Sequence, residues 1–334
     1  MTSISTAKDL RAMRTIAQAA RLAPSVHNSQ PWHFEIGPGS FDLHIDRTRQ
    51  LHALDPTGRQ LMISVGCALF NARVAAAALG QPMQVERMPF GADANPVARL
   101  RRLDDPAMLV ASDLATLEPL IQVRSTNRRR FADDPIPDDI IESLISAAQA
   151  EGARLIRVID ENDRLTIARL SQRADAMQYS DGAYRAEIRA WTTDDPNRMD
   201  GVPARAVPHC DAGSGDEIPI RDFDSTGAGW LPTDTQSHHN QCLLLLGTDG
   251  DQPAQWLRAG EALEHVWLEI ARHGFVMSPL TQVVEVPAIR AELRSELRTT
   301  MYPHILMRVG RAAPTAGVGR RHLSELLIEA PPAQ

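Results

Sequence analysis

The run Gly66-Cys-Ala-Leu-Phe-Asn-Ala-Arg-Val-Ala-Ala-Ala-Ala-Leu-Gly80 has a counterpart far downstream, Gly260-Glu-Ala-Leu-Glu-His-Val-Trp-Leu-Glu-Ile-Ala-Arg-His-Gly274. Both open and close on glycine at the same separation. Both set Ala-Leu two and three places after the first glycine, and an aliphatic residue (Val74, Leu268) eight places after it. Each reads as a long buried helix ended by a glycine, the residue that adopts a left-handed conformation at least cost. A repeat of this kind marks a duplicated structural unit.

The flanks repeat in the same order. Upstream lie the alanine-rich helical runs Thr15-Ile-Ala-Gln-Ala-Ala20 and Leu144-Ile-Ser-Ala-Ala-Gln149. Downstream lie Pro96-Val-Ala-Arg-Leu-Arg-Arg-Leu103 and Pro303-His-Ile-Leu-Met-Arg-Val-Gly310, alternating enough to be strands. The chain therefore divides into two halves, 1–120 and 121–334. The second is longer by a predicted helix from Asp163 to about Trp191 and by a segment at about 192–240 rich in Pro, Gly, Asp and Ser. A loop of that length inside a compact chain is usually functional or disordered. Because it carries Trp191, Phe223 and Trp230 in or beside it, a lid that packs on something is expected.

Composition narrows the function. Of 334 residues, 43% are hydrophobic, enough for a sizeable core. The net charge of -7 argues against a general nucleic-acid binder, whereas Arg128-Arg129-Arg130 and Arg320-Arg321 are local clusters suited to a small anion such as a phosphate. No stretch approaches the roughly 20 apolar residues that span a bilayer, and the N-terminus lacks a signal-peptide core. Three widely spaced cysteines imply no disulfide framework. A soluble, cytosolic protein is expected.

Between two prolines, Ala23-Pro-Ser-Val-His-Asn-Ser-Gln-Pro-Trp32 presents Ser25, His27, Asn28 and Gln30. Such a loop can offer several donors and acceptors to one planar ligand, or can be a plain Asx/Ser turn leading into a strand at Phe34–Ile36. Arg124-Ser-Thr-Asn-Arg-Arg-Arg-Phe131 precedes a Pro-containing link and a helix from about Asp138. Gly274-Phe-Val-Met-Ser-Pro-Leu-Thr-Gln282 follows the second long helix.

Taken together these strings resemble the FMN-dependent nitroreductases. PSVHNSQPW is similar to that family's PSxxNxQPW loop, and RSTNRRRF to its RxSxRxF segment, with Asn127 where serine is usual. The fused arrangement, with GVPARAVP (Gly201 to Pro208), WLRAGEAL (Trp256 to Leu263) and SPLTQ (Ser278 to Gln282), resembles the Acg family of mycobacterial and actinobacterial nitroreductase-like proteins over most of the chain. The resemblance implies an α+β nitroreductase fold: a mostly antiparallel sheet sandwiched by helices, with two fused half-repeats forming an intramolecular pseudo-dimer around the two long helices.

It also implies a site. Ser25, Asn28 and Gln30 would hydrogen-bond FMN, with His27 close by. Asn127 would meet the ring edge, and Arg128 or Arg129 the phosphate or a ring carbonyl. Thr281 and Gln282 would stand near flavin N5 and O4, and Arg320 and Arg321 would grip the phosphate. Family members that use NAD(P)H freely carry an acidic residue and then glycine where Thr281 and Gln282 stand; this sequence carries neither. The QPW loop lies in the first half and the other groups in the second, with no second QPW, so one FMN per chain is expected.

The implied function is an FMN-binding oxidoreductase that passes hydride through flavin N5 to a small-molecule acceptor. NAD(P)H would be a transient electron donor, and no catalytic side chain is needed. The alternative is a flavin-sequestering protein closed by its lid. A monomer is expected, without nucleic acid or membrane. His209-Cys210-Asp211 and His238-His239 with Cys242 lack metal-site spacing, so no metal is expected. There is no GxSxG, GxGxxG or P-loop.

Overall fold

The computed structural model describes residues 2–92, 94–103, 113–207, 218–223, 241–315 and 317–328. The first half runs α1 (Thr2–Ala20), β1 (Trp32–Gly37), β2 (Ser40–Ile45), α2 (Arg59–Ala78), β3 (Met83–Arg87) and β4 (Ala98–Arg102). The second begins with α3 (Leu120–Val123), α4 (Asp138–Ala150), β5 (Arg154–Val158), α5 (Glu161–Ser180), α6 (Gly182–Trp191), β6 (Thr192–Thr193) and β7 (Val202–Pro203). It continues through β8 (Cys242–Thr248), α7 (Pro253–Arg272), β9 (Val276–Pro279), α8 (Gln282–Glu285), α9 (Pro287–Glu296), β10 (Tyr302–Gly310), α10 (Leu323–Leu326) and β11 (Leu327–Ile328).

The fold is α+β, with antiparallel main sheets flanked by helices, and the repeat is visible in its topology. The first sheet is ordered β11-β1-β2-β4-β3 and the second β5-β8-β10-β9. Setting aside β11 and the separate parallel pair β6-β7, the main sheet of each half places its strands first, second, fourth, third, with the long helix between the second and third. The expected sheet is thus two sheets, one per half, with α2 and α7 packed against each other. The exception is β11, which leaves the second half and pairs parallel to β1, Phe34 opposite Leu327.

The two long helices touch through their glycines. A Cβ on Gly260 would lie 2.0 Å from the carbonyl oxygen of Ile63, and one on Gly66 would lie 2.1 Å from that of Leu257. Only a residue without a side chain lets the backbones come this close. Around this crossing Phe34, Leu69, Phe70, Leu257, Val266 and Leu268 are fully buried.

Two sequence expectations need correction. The helix expected from Asp163 to Trp191 is two helices, because Asp181 accepts hydrogen bonds from the amides of Ala183 and Tyr184 and so caps α6 as a new start. In addition, α2 is long and apolar enough to cross a membrane by length and composition, contrary to the reading that no stretch comes close. Since 83% of its apolar window is buried within the protein, it is a core helix. Of the expected lid, residues 208–217 and 224–240, including Trp230, lie outside the described residues.

Candidate functional site

The PSVHNSQPW loop follows α1 as a short 3-10 turn, and three of its non-glycine residues are left-handed: His27 (φ 48), Asn28 (φ 55) and Gln30 (φ 49). Such residues cost about 1–3 kcal/mol each and cluster where structure serves function. Local hydrogen bonds hold the shape. Ser25 Oγ accepts from the Gln30 amide (2.9 Å), and the Val26 amide donates to Ser64 Oγ on α2 (3.0 Å).

The loop is clasped from the second half. Asn28 Nδ2 donates to the carbonyls of Gly201 (3.0 Å) and Gly319 (3.1 Å). Gln30 Nε2 donates to Met199 O (2.8 Å), while its Oε1 accepts from the Arg321 amide (2.8 Å). The RSTNR segment is sewn to β9, the Asn127 amide donating to Met277 O (3.0 Å).

Two adjoining cavities open between these pieces. A cleft of about 880 Å³ is walled by α1, α2, the QPW loop, residues 118–128 and the C-terminal segment up to Arg320. An inner pocket of about 110 Å³ shares Pro24, Ser25, His27, Thr126 and Arg128 with it, and adds Ser64, Cys67, Trp267, Arg221, Phe223 and Thr281. Both halves contribute to both spaces.

Of the residues expected in a site, the structure brings Ser25, His27, Asn28, Arg128, Thr281 and Arg320 to these walls. Gln30, Asn127, Arg129, Gln282 and Arg321 line neither. Their polar groups are engaged elsewhere. The Gln30 amide forms the clasp, and Asn127 donates to Ala313 O (2.8 Å) while accepting from the Arg129 amide (3.0 Å). Gln282 Nε2 faces Pro219 O (3.3 Å) and Asp175 (3.4 Å), and the Arg321 guanidinium turns to Glu325. A string match aligns backbones; it does not say which side chain points into the space.

The strongest electrostatic feature was assigned only in part from the sequence, which named Arg128 and Arg320 as site residues but not Arg21 or Arg124. Arg21 and Arg124 join Arg128 and Arg320 on the cleft wall, against one carboxylate, Glu118, among the described lining residues. Burial pushes Arg320 down to about 9, Arg124 and Arg21 adding repulsion. Burial and the charges of Arg221 and Arg308 push Arg128 down to about 10. Behind the wall, fully buried Glu264 approaches Arg124 Nε at 3.2 Å, and burial raises its carboxyl to about 7. Arg124 has Glu264 as counter-charge, and Arg320 donates to the carbonyls of Leu22, Ala23, Val318 and Gly319. Four guanidiniums crowded on one wall still leave a positive surplus that favours an anion.

Both ring nitrogens of His27, which lines both cavities, and Asn28 Oδ1, on the cleft side, are buried without hydrogen-bond partners. Burial, with Arg221 and Arg128 nearby, holds His27 well below its usual range, so its ring is neutral. From residues 218–223, a short strap, Ile220, Arg221 and Phe223 line the inner pocket. Arg221 ion-pairs with buried Glu285 (2.5 Å), and Phe223 meets His27 edge-on at 5.1 Å beneath the Arg128 guanidinium at 4.7 Å.

The candidate metal ligands His209, Cys210, Asp211, His238 and His239 lie outside the described residues. Glu35, Asp42 and His44 come within ligand distance of one another, but Arg99 already engages both Asp42 oxygens at 2.8 and 2.5 Å.

No protein-family model matches the chain. Two Mycobacterium tuberculosis proteins carrying the name Putative NAD(P)H nitroreductase do: Rv3131, 32% identical over 96% of this chain and 92% of its own, and acg, 30% identical over 94% of each. Among solved structures, the FMN-dependent nitroreductase NfnB from Mycobacterium smegmatis in complex with NADPH covers 66% of this chain and 100% of its own. It does so at 17% identity and a TM-score of 0.41, too loose a likeness to add weight. The sequence identities, held over nearly the whole length, are decisive: the chain belongs to the Acg family of nitroreductase-like proteins.

Proposed function

We propose that the chain is an FMN-dependent oxidoreductase that builds one flavin site between its two halves and works as a monomer on small molecules. The observation that carries this reading is the pairing of an arginine-lined cleft with a slot in which both ring nitrogens of His27 lack partners. The guanidiniums of Arg21, Arg124, Arg128 and Arg320 fit a phosphate. The ring nitrogens of His27 and Asn28 Oδ1 are buried donors or acceptors awaiting a polar ligand edge. When bound, FMN supplies hydride transfer through its N5.

The chain's own part is to hold and shield. Ser64 and the Asn28 and Gln30 clasps keep the QPW loop in its left-handed form, so the slot is preformed. Neutral His27 adds no charge beside the ligand, while Arg128 places a positive one at the junction of slot and cleft. Thr281, which accepts from Arg221 at 3.2 Å, closes the far wall. The relatives' name supplies the donor class, NAD(P)H.

A second reading, a flavin-sequestering protein with little turnover, is favoured by the strap. Phe223 packed on His27 and the buried Arg221–Glu285 pair line the inner pocket, where a donor ring would have to enter. Anaerobic stopped-flow absorbance with NADPH or NADH separates the two. Rapid bleaching of the flavin band supports turnover. Bleaching by dithionite alone supports sequestration, and a colourless chain that takes up no FMN defeats both.

A further inference from the structure

The cleft does not end at its arginines. Three walls continue past them in the same direction. On α1 the lining runs from Arg21 and Leu22 back to Thr15, two turns, or about 10 Å at the α-helical rise. On α2, Asn71 donates to Ala19 O (3.4 Å), which fixes its level beside the arginines, and the lining residues Ala75 and Ala78 lie about 6 and 10 Å further along the helix. The third wall retreats from Arg124 through Gln122 to Glu118.

The chemistry changes along this axis. The inner slot is partly aromatic, the waist is cationic, and among the described residues the outer chamber is uncharged apart from Glu118. Its floor is Ala75, its exposed rim Ala78, Leu79 and Val123, and its polar groups are the Thr15 hydroxyl and the side-chain amides of Gln18 and Gln122. Leu79 and Val123 are exposed at 40% and 65%, an apolar rim that a covering ligand would shield. Alanine walls leave room for a flat ring, and amides with a carboxylate suit sugar hydroxyls and ring nitrogens. A cationic waist between two such slots is the complement of a dinucleotide: ring and sugar, phosphates, sugar and ring.

We propose that the outer chamber is a nucleoside subsite, which takes a purine-type base and its ribose beyond the phosphate held by Arg21, Arg124 and Arg320. This rests on the flavin reading above, and the inner slot and waist keep the roles given there. The nucleoside has two possible sources with one chemistry. It is either the adenylate half of a flavin dinucleotide, or a separate adenine nucleotide beside FMN.

The test is calorimetric titration of flavin-stripped chain with FMN and with FAD, and of FMN-loaded chain with AMP. Burial of the base against the apolar Ala75, Leu79 and Val123 is worth enough for FAD to bind about tenfold tighter than FMN if the adenylate is attached. Saturable AMP binding to the FMN-loaded chain, without an FAD advantage, assigns the chamber to a separate nucleotide. Ala78→Trp and Thr15→Trp, both at solvent-exposed outer positions, should bring the FMN-to-FAD ratio back to unity or abolish AMP binding. Equal flavin affinities with no AMP binding overturn the subsite and leave the flavin reading standing, as does an FAD advantage or AMP binding that survives both tryptophans. Failure to bind either flavin removes the flavin reading and the subsite together.

Discussion

Gly66 and Gly260 meet where α2 crosses α7, so close that a methyl group on Gly260 would stand 2.8 Å from the Cα of Gly66. The obstacle is backbone, which cannot rotate aside. Overpacking of a close core contact costs about 1–3 kcal/mol and sometimes more. Gly260→Ala should fall at or above the top of that range in urea unfolding, and Gly66→Ala should match it. A loss below about 1 kcal/mol in both would mean that the helices part easily, and the two halves with them.

Arg128 and Arg129 are neighbours in sequence and differ in address. Arg128 lines both cavities, whereas Arg129 lines neither and gives its carbonyl to Arg308 Nη2 (2.8 Å). Arg128→Ala should weaken FMN retention about tenfold or more, the scale of one hydrogen bond to a charged group. Arg129→Ala should change it far less. Equal losses, read by flavin fluorescence, would contradict the composite site.

Glu264 makes stability depend on pH. Its carboxyl is raised from 4.5 to about 7, chiefly by burial, with Arg124 pulling it back. The folded chain therefore keeps a proton that the unfolded chain has released. That contribution is fully present below the unfolded value and is lost as pH rises through about 7. Between about pH 5 and pH 8 the native chain should lose on the order of 2 kcal/mol from this group. Glu264→Gln should flatten that slope in urea unfolding; an unchanged slope would assign it to other groups.

Phe223 tests the strap. If it bars nicotinamide, Phe223→Ala should speed anaerobic bleaching by NADPH about tenfold or more, a lowering of the barrier by at least 1.4 kcal/mol. Unchanged rates, with FMN still bound, would show that the strap does not gate the site.

Much of the fold was legible because duplication writes itself twice. The Gly66 and Gly260 helices carry the same glycine spacing, and the helices and strands around them recur in order, so periodicity alone located the core. The α5–α6 break escaped because Asp181 caps a helix within an otherwise continuous helical pattern. The site was legible as segments and less so as side chains. The QPW loop and RSTNR segment do meet, yet Gln30 and Asn127 face inward to clasp backbone. Arg21 passed unnoticed as one charge near a helix end. Arg221 lay in a segment without periodic signal, and its importance comes from Glu285, a partner distant in sequence.

The pairing of β11 with β1 has a consequence for how the chain is made. The first half cannot finish its own sheet: β1 keeps an open edge until Leu327 and Ile328 arrive. During synthesis that edge leaves the ribosome about 290 residues ahead of the strand that covers it. An exposed strand edge is a template for pairing with other chains. Nascent chains, or chains cut before Leu327, would therefore be the forms most prone to stick to one another, and Leu327 and Ile328 act as a seal on the sheet of the first half.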